Sequence, residues 1–388
     1  MSERPPLEAI TVLDLASVGP AARASRWLAD WGADVVKVGP TSKDVAVQLK
    51  PPTHAYGAHR GMRRVLLDLK SDSGREAFLR LASAADVVIE SFRPGVMDRL
   101  GIGWESLRAT NPRLVLCSTT GFGQTGPRSD WAGHDINYLA VGGYLYCSGR
   151  DERGRPVLAG TTIADSAGGG LQAVAAICAA LTARATTGDG THLDVSVADG
   201  VLSLMSLTID EYLAEGVEPG PGHGLLTGRY AWYGLYEAAD GGWLAVGAIE
   251  ARFFANLCRA LGCEQWINCQ YDEAAIDDMR ADFAAAFASR PRDEWVTELG
   301  PADTCVSAVL EIPEVVVDKQ FVARDSFVEV IHPSVGPIRQ VGASLAGQMN
   351  ATALPVPDFS QSDTEEVLTA IGVDSETLTS WMAEGAIA

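Results

Sequence analysis

The chain has 388 residues, 47% apolar and 21% charged, with a formal net charge of −20. Its length fits one large domain or, better, two. The composition is that of a folded protein, and the charge weighs against nucleic acid and anionic membranes as partners because it repels phosphate. Seven cysteines without a C-x-x-C spacing offer neither a zinc cluster nor a disulfide framework, which reads as a reduced, cytoplasmic protein.

The opening segment, MSERPPLEAITVLDLA, lacks a basic stretch followed by an apolar one, so no signal peptide is expected. No run of about 18 apolar residues stands out as a membrane span. AITVLDLA is a β-branched apolar run suited to a buried parallel strand; GPAARASRWLADWG follows as a helix closed by glycine, and ADVVKV as the next strand. A dinucleotide-binding unit would carry G-x-G-x-x-G at the first turn, but LASVGPAA has a single glycine, so no nicotinamide cofactor is expected. VLLDL, a helix over 73–84, ADVVIESF and RLVLCSTTGFG continue the alternation. The fold class is therefore α/β, with a mainly parallel sheet covered on both faces.

Basic residues gather at HRGMRRVLLDLK, with Arg60, Arg63, Arg64 and Lys70, and at ESFRPGVMDRLG, with Arg93 and Arg99. A solvated basic face explains them as readily as an anion site. From Asp165 to about Thr187 small apolar residues read as a closely packed, buried helix. GDGTHLDVSVADGVLSLM then gives a turn, a strand and another helix. Residues 215–228, rich in glycine and proline, are the best linker. The boundaries expected are thus 1–214 for a large domain, 229–325 for a smaller one and 326–388 for a return to the large domain with a helical tail. Within the smaller domain YAWYGLYEAADGGWLAVGAIE alternates around an Asp-Gly turn as a hairpin does.

Two fragments bear on chemistry. WAGHDINYLAVGG places His134 beside Asp135, and TTIADSAGGG places Asp165 before three glycines. By themselves they are a loop histidine and a helix N-cap, a position aspartate fills well. The glycines would equally let a ligand approach the backbone. His54, His59, His192, His223 and His332 are scattered, so no metal site is expected.

GFGQTGPRSDWAGHDINYLAVGG, the Asp165 segment, GDGTHLDVSVADGVLSL, LAVGAIEARFF and ADVVIESFRPGVMDRLGIG together resemble the family III CoA-transferases (CaiB/BaiF-like), closest to the α-methylacyl-CoA racemase branch. The resemblance runs from about residue 8 to about residue 335. It implies a large Rossmann-like CoA-binding domain, a smaller α+β domain and an interlocked homodimer, with a site between one protomer's large domain and the other's small domain. It implies an acyl-CoA thioester as substrate, with CoA supplied as part of it and no metal. His134 and Asp165 match the two groups that exchange the proton α to the thioester carbonyl, and Glu250 matches the carboxylate that holds the histidine. Arg60, Lys70, Arg93, Arg99 and Tyr138 match positions that contact CoA.

The branch activity would be racemisation of a 2-methylacyl-CoA by 1,1-proton transfer through an enolate. Histidine suits this, since its unperturbed pKa of about 6.5 lets it take and return a proton near neutrality. The alternative is an acyl-CoA:carboxylate CoA-transferase, in which Asp165 is the nucleophile of an aspartyl-CoA thioester route. Two departures from the racemase pattern, Ser166 in place of phenylalanine and Thr161 in place of asparagine, keep that alternative open. They also motivate a third reading, a CoA-thioester-binding protein that has lost catalysis. The acyl group, whether branched fatty, sterol side chain or dicarboxylate, is left open.

Overall fold

The computed structural model describes residues 5–16, 19–41, 55–343, 354–358 and 361–388. They divide into two compact units: a larger one of Met1–Tyr144, Ala159–Ser206 and Lys319–Ala388, and a smaller one of Leu145–Leu158 and Leu207–Asp318.

In chain order the larger unit runs β1 (Thr11–Asp14), α1 (Gly19–Asp30), β2 (Asp34–Gly39), β3 (Met62–Leu66), α2 (Asp72–Ala84), β4 (Val87–Glu90), α3 (Val96–Arg99), α4 (Trp104–Thr110), β5 (Val115–Thr120) and α5 (Asp135–Val141). A short α6 (Tyr144–Cys147) leads out of it. The chain returns in a π-helical segment, Ala164–Leu171, that runs into α7 (Gln172–Thr187), followed by β6 (Thr191–Ser196) and α8 (Val197–Leu204). Six strands form one sheet in the order β3-β2-β1-β4-β5-β6, and every pairing is parallel. This is the order of a doubly wound nucleotide-binding fold, in which ligands sit beyond the carboxyl ends of the strands.

The strands are continuous apolar runs because both faces are covered. Val36, Val88 and Leu116 face a layer containing Phe78, Leu81, Leu107, Leu368 and Trp381. Their neighbours Val35, Val87 and Val115 face Leu28, Ala173 and Ile177 on the other side. Helix α1 stops where Gly32 takes a left-handed φ of 97°, a conformation that suits glycine at a helix end.

The 24 residues Ala164–Thr187 have length and mean hydropathy (1.4) enough to cross a membrane by composition alone, a stretch that the search for apolar runs had passed over. Here Ala173, Val174, Ile177 and Ala180 are core to the sheet, and the segment carries Asp165 and a buried Arg184.

The smaller unit contains α9 (Ser206–Glu215), β7 (Tyr233–Glu237), β8 (Trp243–Gly247), α10 (Ala251–Ala260), α11 (Ile276–Phe287), α12 (Arg292–Leu299), β9 (Val306–Ala308) and α13 (Ile312–Val315). β7 and β8 form the expected hairpin, and β9 adds a third antiparallel strand. Phe254, Leu257, Phe283, Phe287 and Trp295 pack on it. The chain then returns to the larger unit as α14 (Lys319–Ala323), the hairpin β10 (Phe327–His332) and β11 (Gly336–Val341), α15 (Thr364–Ala370) and α16 (Ser375–Ala383).

The unit boundaries differ from those expected from composition. Residues 145–158 and 207–214 belong with the smaller unit, so the segment 215–228 lies inside it. Helix α9 has no buried residue and therefore contributes nothing to the core of the larger unit.

Candidate active site

His134 is the N-cap of α5, with extended backbone at φ −132°. Its N–H donates to Asn137 Oδ1 at 3.0 Å, which satisfies an otherwise orphaned donor at the helix start. The imidazole is exposed. Asp135, the first helical residue, accepts the backbone N–H of Asp165 at 2.8 Å through Oδ1. That bond ties the start of α5 to the π-helical segment and brings the two acid/base candidates into one locale.

Asp165 is the second residue of the π-helical segment, not its cap; the capping position falls to Ile163, whose side chain makes no cap bond. The plain N-cap reading therefore fails. The Asp165 side chain is only 18% exposed, and Arg23 Nη1 stands 3.5 Å from its Oδ2. Burial pushes its carboxyl above the ordinary carboxylate range, Arg23 opposes that shift, the charge of Asp135 adds to it, and His134 opposes it. Tyr138 is buried, with its ring edge-on to Phe122 at 5.2 Å. Its hydroxyl is pushed up to about 12 by burial, and the carboxylates of Asp165 and Asp135 add to the effect.

The glycines after Asp165 do different work from that expected. A Cβ on Gly169 would meet Pro20 of α1 at 2.5 Å, and one on Gly170 would meet Trp27 at 2.9 Å. On the facing helix, a Cβ on Gly200 would lie 1.8 Å from the carbonyl oxygen of Gly168. These glycines let the π-helical segment press against α1 and α8, so they are packing residues and do not face a ligand.

Arg60 also departs from expectation. It is fully buried, its guanidinium donating to Asp30 at 3.1 Å, Gln340 Oε1 at 2.7 Å and the carbonyl of Val341 at 3.0 Å. With its donors committed inside the unit it cannot reach a phosphate. Arg63 pairs with Asp34. Lys70, Arg93 and Arg99, in contrast, are exposed. They follow the carboxyl ends of β3 and β4, where this fold places its ligands. Arg93 lines a cleft of about 230 Å³ together with Glu90, Asp98, Trp104, Ser118 and His192. Glu250 is the exposed N-cap of α10 in the smaller unit.

Three residues beside Asp165 have no signature in the sequence: Arg23, Thr162 and Tyr56. Arg23 Nη2 donates to Thr162 Oγ1 at 2.7 Å, and its guanidinium carbon lies 5.4 Å from the centroid of the Tyr56 ring. Among the described residues no group of three or more His, Cys, Asp or Glu is arranged to hold a metal ion; His54 falls outside them.

The profile of CoA-transferase family III matches residues 7–361. The human protein alpha-methylacyl-CoA racemase is 35% identical over 379 residues, spanning 96% of this chain and 95% of its own length. Succinyl-CoA–D-citramalate CoA-transferase from Chloroflexus aurantiacus is 31% identical over 364 residues, spanning 87% of each chain. The crystal structure of a CaiB/BaiF family protein from Brucella suis superposes with a TM-score of 0.78 at 28% identity, covering 95% of this chain and 100% of that one.

Proposed function

The chain belongs to CoA-transferase family III, a CoA-dependent family of racemases and CoA-transferases in which CoA is carried by the substrate, and from that premise we propose an acyl-CoA racemase. In this reading it inverts the α-carbon of a 2-methylacyl-CoA, with His134 and Asp165 as the two proton carriers. One removes the α-proton to give an enolate, and the other returns a proton to the opposite face. The observation that carries the reading is the bond from Asp165 N–H to Asp135, the neighbour of His134, which holds an imidazole and a half-buried carboxylate in the same part of the unit.

Lys70, Arg93 and Arg99 bind the CoA phosphates, arginine doing so through paired donors, and Tyr138 lines the thioester channel. Glu250 orients His134 across the interface of a homodimer. Support for a dimer comes from the apolar side chains left exposed on the single chain, Leu202 (52%) on α8 and Leu207 (70%) and Leu213 (72%) on α9, an amount of apolar exposure that marks an interaction surface.

The second reading is an acyl-CoA:carboxylate CoA-transferase with Asp165 as nucleophile. It is favoured by Ser166 and by the Arg23 ion pair, which suits an anionic nucleophile. The deciding experiment is mass spectrometry of a 2-methylacyl-CoA incubated with the protein in deuterated water, with and without an acceptor acid. Deuterium at the α-carbon without acceptor supports racemisation. CoA transfer that needs the acceptor and proceeds without exchange overturns it.

A further inference from the structure

Arg23 lies in the first two turns of α1, and three groups fix its guanidinium. Nη2 donates to Thr162 Oγ1 at 2.7 Å, the Tyr56 ring lies against the guanidinium face with its centroid 5.4 Å from Cζ, and Nη1 stands 3.5 Å from Asp165 Oδ2. Tyr56 is itself held, its hydroxyl accepting the Gly19 N–H at 2.7 Å from the start of the same helix. Nη1 is sealed from solvent and has no hydrogen-bond partner, so the one open donor of a buried cation is next to the one carboxylate proposed to react.

We propose that Arg23 is the positioning counter-cation of Asp165: it holds the carboxylate ionised and fixed in direction, so that Asp165 enters the reaction as an anion. The inference rests on the reading of Asp165 as the reacting carboxylate. The surrounding charges make such a cation necessary. Burial disfavours ionisation of Asp165 and the neighbouring Asp135 carboxylate adds to that; Arg23 from α1 and His134 from the start of α5 work in the other direction. The Tyr138 phenol, from the same helix as Asp135, is neutral at physiological pH. Helix α8 meets the π-helical segment through Val197, Gly200 and Val201, none of them charged. Without Arg23 the only favourable charge left is an exposed imidazole, itself required to take and give protons.

For a racemase this sets the resting state. Asp165 starts as the base, so the epimer that presents its α-proton to Asp165 reacts from the resting enzyme directly. For a transferase the same cation keeps the nucleophile anionic before acyl attack.

The test is carboxyl carbon-13 NMR of the aspartate-labelled full chain, with the Asp165 resonance assigned by its loss in Asp165→Asn. In Arg23→Met the titration midpoint of Asp165 is expected to rise by about one pH unit or more, as removal of a close arginine does, and Arg23→Lys is expected to recover most of the shift. A midpoint that stays in place or falls in Arg23→Met overturns the proposal. If Arg23→Met does not fold, Thr162→Val removes only the hydroxyl that anchors the guanidinium; a smaller rise is expected there, and an unchanged midpoint overturns the proposal equally. Steady-state kinetics on the same variants are expected to show the acid limb of kcat displaced upward with KM for the thioester unchanged. Should the wild-type chain neither exchange nor transfer while the NMR shift persists, the assigned activity fails and the electrostatic role of Arg23 stands.

Discussion

Helix α1 takes part in two arginine–carboxylate arrangements, and they have opposite character. Towards its C-terminal end, Asp30 meets Arg60 with the side chains 1% and 0% exposed, and the remaining Arg60 donors go to Gln340 and the Val341 carbonyl. Towards its N-terminal end, Arg23 meets Asp165 with both side chains about one-fifth exposed, at 3.5 Å, with one donor unpaired. A buried charge with every donor satisfied is a fixed structural element. A half-open pair with a carboxyl pushed upward and spare donor capacity is what a reacting group needs. The difference between the two ends of one helix separates framework from site without reference to any relative.

The largest expected effects break this comparison at the open end. Asp165→Asn should lower α-proton exchange or CoA transfer by about 10²–10⁴-fold while thermal unfolding stays where it was. His134→Ala should lower exchange over the same range; transfer activity that survives it would favour the nucleophilic route. At the closed end the outcome should invert. Arg60→Met leaves Asp30 without its main partner and should cost about 3 kcal/mol, read from urea unfolding, with KM for an acyl-CoA unchanged. A rise in KM would return Arg60 to the CoA site. Gly200→Ala forces a methyl onto the Gly168 carbonyl and should cost about 1–3 kcal/mol, which tests whether the glycines serve packing.

The smallest effect concerns Glu90, a buried carboxyl outside both pairs. Burial raises it above the ordinary carboxylate range against a hydrogen bond from Ser118. Below the unfolded-state value both states are protonated and nothing is lost; as pH rises through the raised native value, folding must tolerate a buried charge and stability falls. Glu90→Gln should therefore gain less than about 1 kcal/mol at pH 7, and the gain should vanish in acid, as thermal unfolding at several pH values would show.

Much of the fold was legible. β1, β2, β4 and β5 fall within the apolar runs that announce them, because a strand covered on both faces needs no polar alternation. The hairpin of β7 and β8 was legible from its Asp-Gly turn, Gly241 taking φ 81°. At the site, the proximity of His134 and Asp165 was expected only through resemblance to other sequences. The π-helical turn was not legible, since its residues read equally well as α-helix. Nor were the inward direction of Arg60 and the meeting of Arg23, Thr162 and Tyr56: they lie 139 and 33 residues from Arg23 in chain order, and local pattern carries no information over such separations.

The sequence by itself determined the element order, the apolar strands, and the kinds of side chain available for proton transfer and phosphate binding, because these depend on neighbours in the chain and on intrinsic chemistry. Only the tertiary structure decided which arginine is buried framework and which faces a reacting carboxylate. That choice depends on solvent exclusion and on donors contributed by distant segments, so two arginines of identical chemistry, Arg60 and Arg23, end in opposite roles.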